Sequence, residues 1–111
     1  MNWKILDSDE QFRHLIQTSG DDSFAIFKHS TRCNISTLSK GRIERNWDDL
    51  PADFPLYYLD LLTHRPLSDA IAEVLDVEHE SPQLLLIENG KCIFHASHGD
   101  INVSDMVEKV K

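Results

Sequence analysis

Basic residues are scarce in this chain. Eleven Lys and Arg stand against 19 Asp and Glu in 111 residues, a formal net charge of −8. A broad nucleic-acid or anionic-membrane surface needs clustered cations, so that deficit excludes one and leaves room only for a local basic pocket. Cysteine is scarcer still, with Cys33 and Cys92 alone, too few for a secreted disulfide framework. No apolar run approaches the length of a membrane span. The first residues, Met1-Asn2-Trp3-Lys4-Ile5-Leu6-Asp7-Ser8, lack the apolar core of a secretory leader. No repeat, low-complexity tract or linker interrupts the chain. The expectation is one soluble, cytoplasmic, monomeric domain over residues 1–111, able to bury a core without metal or disulfide.

What is present is a regular alternation of helix and strand signals. Lys4-Ile5-Leu6 reads as a short strand, and Ser8 with Gln11 has capping-box spacing for a helix that closes at Gly20. The unbroken apolar run Phe24-Ala25-Ile26-Phe27 suits a central strand covered on both faces. Residues 34 to 47 read as a helix with Ile35, Leu38, Ile43 and Trp47 inward, followed by a loop holding Pro51 and Pro55. Leu56-Tyr57-Tyr58-Leu59-Asp60-Leu61 has strand composition. Pro66 opens a helix whose buried stripe is Leu67, Ala70, Ile71, Val74 and Leu75. Apolar segments 83–88 and 91–97 flank Asn89-Gly90, a hairpin signature. Asn102 or Ser104 caps a final helix through Val103, Met106, Val107 and Val110.

The order β-α-β-α-β-α-β-β-α predicts an α/β three-layer sandwich, its mixed sheet ending in an antiparallel hairpin. Ligands in such sheets collect beyond the carboxyl ends of the parallel strands. That edge gathers Cys33, the segment Thr63-His64-Arg65, Ser81-Pro82 and His98-Gly99.

Cys33 lies in Lys28-His29-Ser30-Thr31-Arg32-Cys33-Asn34-Ile35-Ser36, at a strand-to-helix junction. The amino end of a helix favours an anion and so lowers a thiol's pKa. The second cysteine of a Cys-x-x-Cys pair would fall at position 36, where this chain has Ser36, so the stretch reads as a one-cysteine redox site. Ser36 can donate a hydrogen bond toward the sulfur, and Arg32 adds positive charge. The plain alternative is an inert, half-buried cysteine. Cys92 sits at the turn end of the hairpin, six strand residues of about 3.3 Å each from Pro82, and reads as a packing residue. Six histidines raise the question of a metal. Strand alternation separates Cys92 from His95, and His98 is too far along to rejoin Cys92, so no metal site is expected. An arsenate-reductase anion loop needs an arginine soon after the cysteine, and the next one, Arg42, is well inside the helix.

A strand, a reactive cysteine at a helix start and a Ser-Pro before a terminal hairpin together resemble the thioredoxin fold. More narrowly, the Lys28 to Ser36 stretch, with Arg65-Pro66 and Glu80-Ser81-Pro82-Gln83, resembles the monothiol bacilliredoxins, the YtxJ-like proteins of the bacillithiol system. The likeness spans nearly the whole chain, with one departure at Asn34, where many relatives carry proline. It implies a thioredoxin-like α/β/α sandwich and a monothiol thiol–disulfide oxidoreductase that removes bacillithiol from mixed disulfides on cytoplasmic client proteins. Cys33 would be the nucleophile with Ser36 beside it. Bacillithiol would be co-substrate, with no bound cofactor, and a second bacillithiol or a reductase would free Cys33.

The malyl carboxylates of bacillithiol call for cations and helix amino ends. Thr31, Arg32, Asn34, Arg65, Ser81, Pro82 and Gly99 are the expected substrate-binding residues, with Lys28 a further candidate. Arg65 and Gly99 rank first because the topology puts both at the active edge. Against this, Lys28 and Arg65 could simply be solvated and Gly99 could only supply a turn. Trp3, Trp47, Tyr57 and Tyr58 read as packing. Whether Ser81-Pro82 is cis stays open, since the base rate of about 5–6% favours trans. Two rival functions remain: the same chemistry with glutathione or coenzyme A, and a thioredoxin-fold module that binds an extended peptide beside Pro82.

Overall fold

Strand β2 (Phe24–His29) is buried at every residue, and its pleat sends alternate side chains to opposite faces. Phe24 and Ile26 enter one apolar cluster, while Ala25 and Phe27 enter the other. The computed structural model that shows this describes residues 3–18, 20, 22–30, 34–51 and 54–110, with Ile35 by its backbone only.

Around β2 the chain runs β1 (Lys4–Ile5), α1 (Asp9–Thr18), β2, α2 (Asn34–Arg45), β3 (Leu56–Asp60), α3 (Arg65–Leu75), β4 (Gln83–Glu88), β5 (Lys91–Ser97) and α4 (Val103–Val107). Short 3₁₀ turns follow α2 (Trp47–Asp49) and β5 (His98–Asp100). The element order is the one read from the sequence. The sheet order is β1-β3-β2-β4-β5. β1, β3 and β2 are mutually parallel, whereas β4 runs antiparallel to both β2 and β5. Phe12 of α1 and Leu67, Ile71 and Leu75 of α3 cover one face. Ile43 of α2 and Val103 and Met106 of α4 cover the other. The result is the expected three-layer α/β/α sandwich.

Local signals explain most boundaries. Ser8 Oγ accepts from Gln11 N–H at 3.1 Å at the start of α1, and Asn102 Oδ1 accepts from Ser104 N–H at 2.8 Å at the start of α4. Asn89 and Gly90 have φ of 55° and 72°, the left-handed pair that a two-residue hairpin turn demands. A Cβ at Gly90 would also meet Ile16 at 3.4 Å.

Three expectations are corrected. Leu38 is 67% exposed, because the buried residues among the described side chains of α2 are Ser36, Ser39 and Ile43, spaced at three and four residues. The sequence reading gave the apolar residue the inward place, and two serines hold it. Val74 is 45% exposed, one position off the stripe formed by Leu67, Ile71 and Leu75. The β4–β5 ladder pairs Leu86 with Phe94 but Ile87 with Cys92, so Ile93 is an extra bulged residue. The bulge cancels one alternation, leaving Cys92 opposite Ile87 and His95 opposite Leu85 on one face, not on two. The inward placement expected for Ile35 lies outside the described side chains.

Candidate active site

At the carboxyl end of β2 two polar side chains are buried on opposite faces, Lys28 at 0% and His29 at 4% exposure. His29 turns toward α2, on the face of Phe27. Its ring stacks on Phe27 with centroids 5.6 Å apart and lies 5.4 Å from the Tyr58 ring. His29 Nδ1 is 2.5 Å from the Ser36 hydroxyl oxygen, which also accepts from the Ser30 backbone N–H at 3.0 Å. Ser36 is fully buried in the first turn of α2. Burial pushes the His29 pKa below the ordinary value and the Lys40 charge adds to that, while Asp60, Glu44 and a backbone hydrogen bond at Ser36 act the other way. The imidazole is therefore neutral at neutral pH.

Beside this group, the Ser81-Pro82 peptide bond is cis. The Pro82 carbonyl accepts from His98 N–H at 3.0 Å, and the His98 carbonyl accepts from Ser39 Oγ at 3.3 Å. Arg42 Nη1 donates to the carbonyls of Gly99 at 3.2 Å and Ile101 at 3.0 Å. Glu80 accepts from the Ser97 hydroxyl with one carboxylate oxygen and lies 3.9 Å from His98 Nε2 with the other. The proline loop, the end of β5 and the inward face of α2 are thus tied into one unit. The turn after β5 takes its left-handed residue at His98, with φ of 55°, and a Cβ at Gly99 would meet nothing within 4 Å. Gly99 is not needed there for backbone conformation.

Lys28 occupies the other face. Its Nζ donates to the Ser68 carbonyl at 3.2 Å and lies 3.5 Å from His79 Nδ1, which is 3.1 Å from Ser68 Oγ. The Lys28 pKa is lowered to about 8, chiefly by burial, with Asp69 opposing and Arg65 adding to the fall. Burial, followed by the charges of Lys28 and Arg65, also lowers that of His79. Gln83 donates from Nε2 to the Glu78 carbonyl at 3.0 Å, while its buried Oε1 has no hydrogen-bond partner among the described residues. Lys28 is therefore neither a solvated cation nor a surface contact for an acidic ligand. Arg65 is exposed and pairs through Nε with Asp69 at 3.0 Å.

Of the sequence candidates, the structure groups Ser36, Ser81, Pro82 and Gly99 on the α2 side of the edge, with Asn34 exposed at the first position of α2. Arg65, at the first position of α3, is at the same edge but across the sheet. Thr31, Arg32 and Cys33 lie outside the described residues, Cys33 immediately preceding α2 in the chain. Cys92 is half-buried against the α1/α3 cluster. Burial pushes its thiol pKa up, and Sγ donates to the Phe94 carbonyl at 3.3 Å. Among the described residues no three His, Cys, Asp or Glu converge to hold a metal ion, and no helix is long and apolar enough to cross a membrane. The sequence reading gave no role to His29 or Ser39; it had Glu80 in the family motif and His98 at the active edge, without the contacts that tie them together. The available signal for His29 was its place two residues after Phe27 on a strand, hence on the same covered face.

Comparison with known proteins agrees with this fold. The sequence profile of a family described as monothiol bacilliredoxin BrxC matches residues 4–106. A solved structure described as a candidate oxidoreductase with a thioredoxin fold is 34% identical, with a TM-score of 0.81 over 95% of this chain and 90% of that one. The thioredoxin of Malassezia sympodialis is 18% identical, with a TM-score of 0.77 over 98% of this chain and 90% of that one. That of Fasciola hepatica is 14% identical, with a TM-score of 0.74 over 97% and 99%. These two share the fold.

Proposed function

The chain belongs to the monothiol bacilliredoxin family, and from that premise we propose that it removes bacillithiol from mixed disulfides on cytoplasmic client proteins, with Cys33 as nucleophile. It is a thiol–disulfide oxidoreductase, and the proposal adds the thiol, the clients and the residues. The observation that carries it is the family match over residues 4–106 in a chain whose Cys33 is followed three residues later by Ser36 rather than by a second cysteine.

The Cys33 thiolate attacks the bacillithiol sulfur of the mixed disulfide. A new disulfide forms between Cys33 and bacillithiol, the old one breaks, and the client leaves as a thiolate that takes a proton from water. A second bacillithiol thiolate then attacks the bacillithiol sulfur on Cys33, giving bacillithiol disulfide and free Cys33. No electrons are gained or lost by the protein over the cycle. Arg65, Arg32, Asn34 and Thr31, with the edge formed by Ser81, Pro82 and Gly99, are proposed to hold the co-substrate. Of these, Arg65 is an exposed cation able to meet a malyl carboxylate.

The test is adduct mapping by mass spectrometry after incubation with the disulfides of bacillithiol, glutathione and coenzyme A. A rapid adduct on Cys33 from bacillithiol is the expected result. Preference for another disulfide would change the co-substrate, and absence of any adduct would leave a peptide-binding module.

A further inference from the structure

We propose that Lys28 and Gln83 hold one buried water molecule between β2, β4 and the loop that ends at Pro82. Both residues belong to the stretches that carry the family likeness, and the thiol chemistry gives neither a task. Lys28 of β2 is the direct cross-strand partner of Gln83 of β4, so the two side chains leave the sheet on one face with Cβ atoms about 4.5–5.5 Å apart. It is the face of Phe24, Ile26, Leu85 and Ile87, which Leu67 and Ile71 of α3 cover. Lys28 and Ser68 are 0% exposed there and Gln83 1%.

Two polar groups on this face are incompletely matched. Gln83 donates through Nε2 to the Glu78 carbonyl at 3.0 Å, and its Oε1 has no partner among the described residues. The Lys28 ammonium has three protons. One goes to the Ser68 carbonyl at 3.2 Å, and Nζ lies 3.5 Å from His79 Nδ1, which leaves a third proton to place. Glu78 and His79 are consecutive, so the spare acceptor and the spare donor face the same small space. Their signs select what fills it. An anion would meet the Oε1 lone pairs and a cation would meet the ammonium. A neutral molecule that accepts from Nζ and donates to Oε1 satisfies both. Water does so with a second proton left for Ser68 Oγ, itself 3.1 Å from His79 Nδ1, which makes up the three hydrogen bonds typical of a buried water. One water gives the ammonium a single partner and not a hydration shell, in keeping with a Lys28 pKa lowered to about 8. The bridge fastens the loop through Glu78 and His79 to the sheet just before Pro82, whose carbonyl accepts from His98 N–H at 3.0 Å.

Two measurements test this, and neither depends on which thiol the enzyme uses. In a high-resolution crystal structure of the wild-type protein, one fully occupied water should lie within hydrogen-bond distance of both Lys28 Nζ and Gln83 Oε1. A direct bond between those two atoms, or no water there, overturns the proposal. The second is amide hydrogen exchange at His98, which reports detachment of the Pro82 loop, in wild type, Lys28→Met, Gln83→Met and the double variant. Amides in the middle of β2 report global stability in the same spectra, so the loop is read separately. Each single variant should exchange at His98 roughly fivefold to tenfold faster than wild type. The double variant should fall well short of the product of the two effects, because both remove the same bridge. Full multiplication, or an unchanged rate in either single variant, would mean that no shared water joins the two residues and would overturn the proposal.

Discussion

Lys28 Nζ donates to the Ser68 carbonyl at 3.2 Å across the seam between β2 and α3, with none of the lysine left in contact with solvent. A buried ammonium costs folding free energy because its hydration is lost, and the fall in pKa from 10.5 to about 8 records that cost. The displacement corresponds to about 3 kcal/mol. Below pH 8 the folded and unfolded chains both carry the charge, so the cost is fully present. From about pH 8 to 10.5 only the unfolded chain holds the proton, and stability rises with pH. Lys28→Met keeps the stem and removes the charge at the loss of one hydrogen bond. It should stabilise the protein by about 1–2 kcal/mol at pH 7, and the gain over wild type should vanish by about pH 10.5 in chemical denaturation curves. No gain at pH 7 would mean that the ammonium keeps most of its hydration.

Glu44 has the opposite sign. Its carboxylate accepts from Lys40 Nζ at 2.8 Å and Trp3 Nε1 at 2.9 Å. The Lys40 hydrogen bond, with the Trp3 bond next, holds its pKa below the ordinary 4.5. The stabilisation is complete above the unfolded-state pKa and disappears as pH falls through the folded-state one. Glu44→Gln retains an acceptor for Trp3 and loses the charge. It should cost about 0.5–1 kcal/mol at pH 7 and progressively less as the Glu44 carboxyl becomes protonated in the folded as well as the unfolded chain, measured by denaturation from pH 7 down to pH 3.

The sequence revealed the succession of elements because each carries its own period and punctuation. Asn89-Gly90 was readable as a turn, and Phe24-Ala25-Ile26-Phe27 as a central strand, from composition alone. What escaped was polar burial. β2 continues through Lys28 and His29, and both are buried, because each finds partners only in the folded chain. For the same reason Ser36 and Ser39 displaced Leu38 from the inward face of α2. The bulge at Ile93 left no glycine or proline to mark it, so its effect on Cys92 and His95 was invisible. Arg65 and Gly99 were readable as neighbours of the active edge from topology. That they lie on different faces of it required the packing of α2 and α3.

Arg65 gives a direct test of co-substrate recognition. Its guanidinium is exposed and its i,i+4 partner Asp69 is too, so the pair contributes only about 0.3–0.5 kcal/mol to folding. Arg65→Ala should leave the denaturation midpoint nearly unchanged. It should lower kcat/KM for a bacillithiol mixed disulfide roughly fivefold to tenfold, with little effect on a neutral model disulfide. Equal losses on both substrates would remove Arg65 from carboxylate recognition.

Ser36→Cys asks whether the missing second thiol is what sets the enzyme's cycle. In the wild type a bacillithiol adduct on Cys33 would find no thiol at position 36, and Cys92 is half-buried against the α1/α3 cluster, so the adduct should persist until another bacillithiol arrives. With a thiol at position 36, the thiolate there attacks the Cys33 sulfur. A Cys33–position 36 disulfide then forms, and bacillithiol leaves as a thiolate. The mass of the variant should therefore pass from the adduct to a species two hydrogens lighter than the reduced protein. A thiol is a weaker partner than a hydroxyl for Ser30 N–H and His29 Nδ1, so the fold should lose about 1–2 kcal/mol, which thermal denaturation reads separately. A persistent adduct in a variant that still folds would place position 36 out of reach of Cys33. That outcome would also undercut any hydrogen bond between Ser36 and the sulfur.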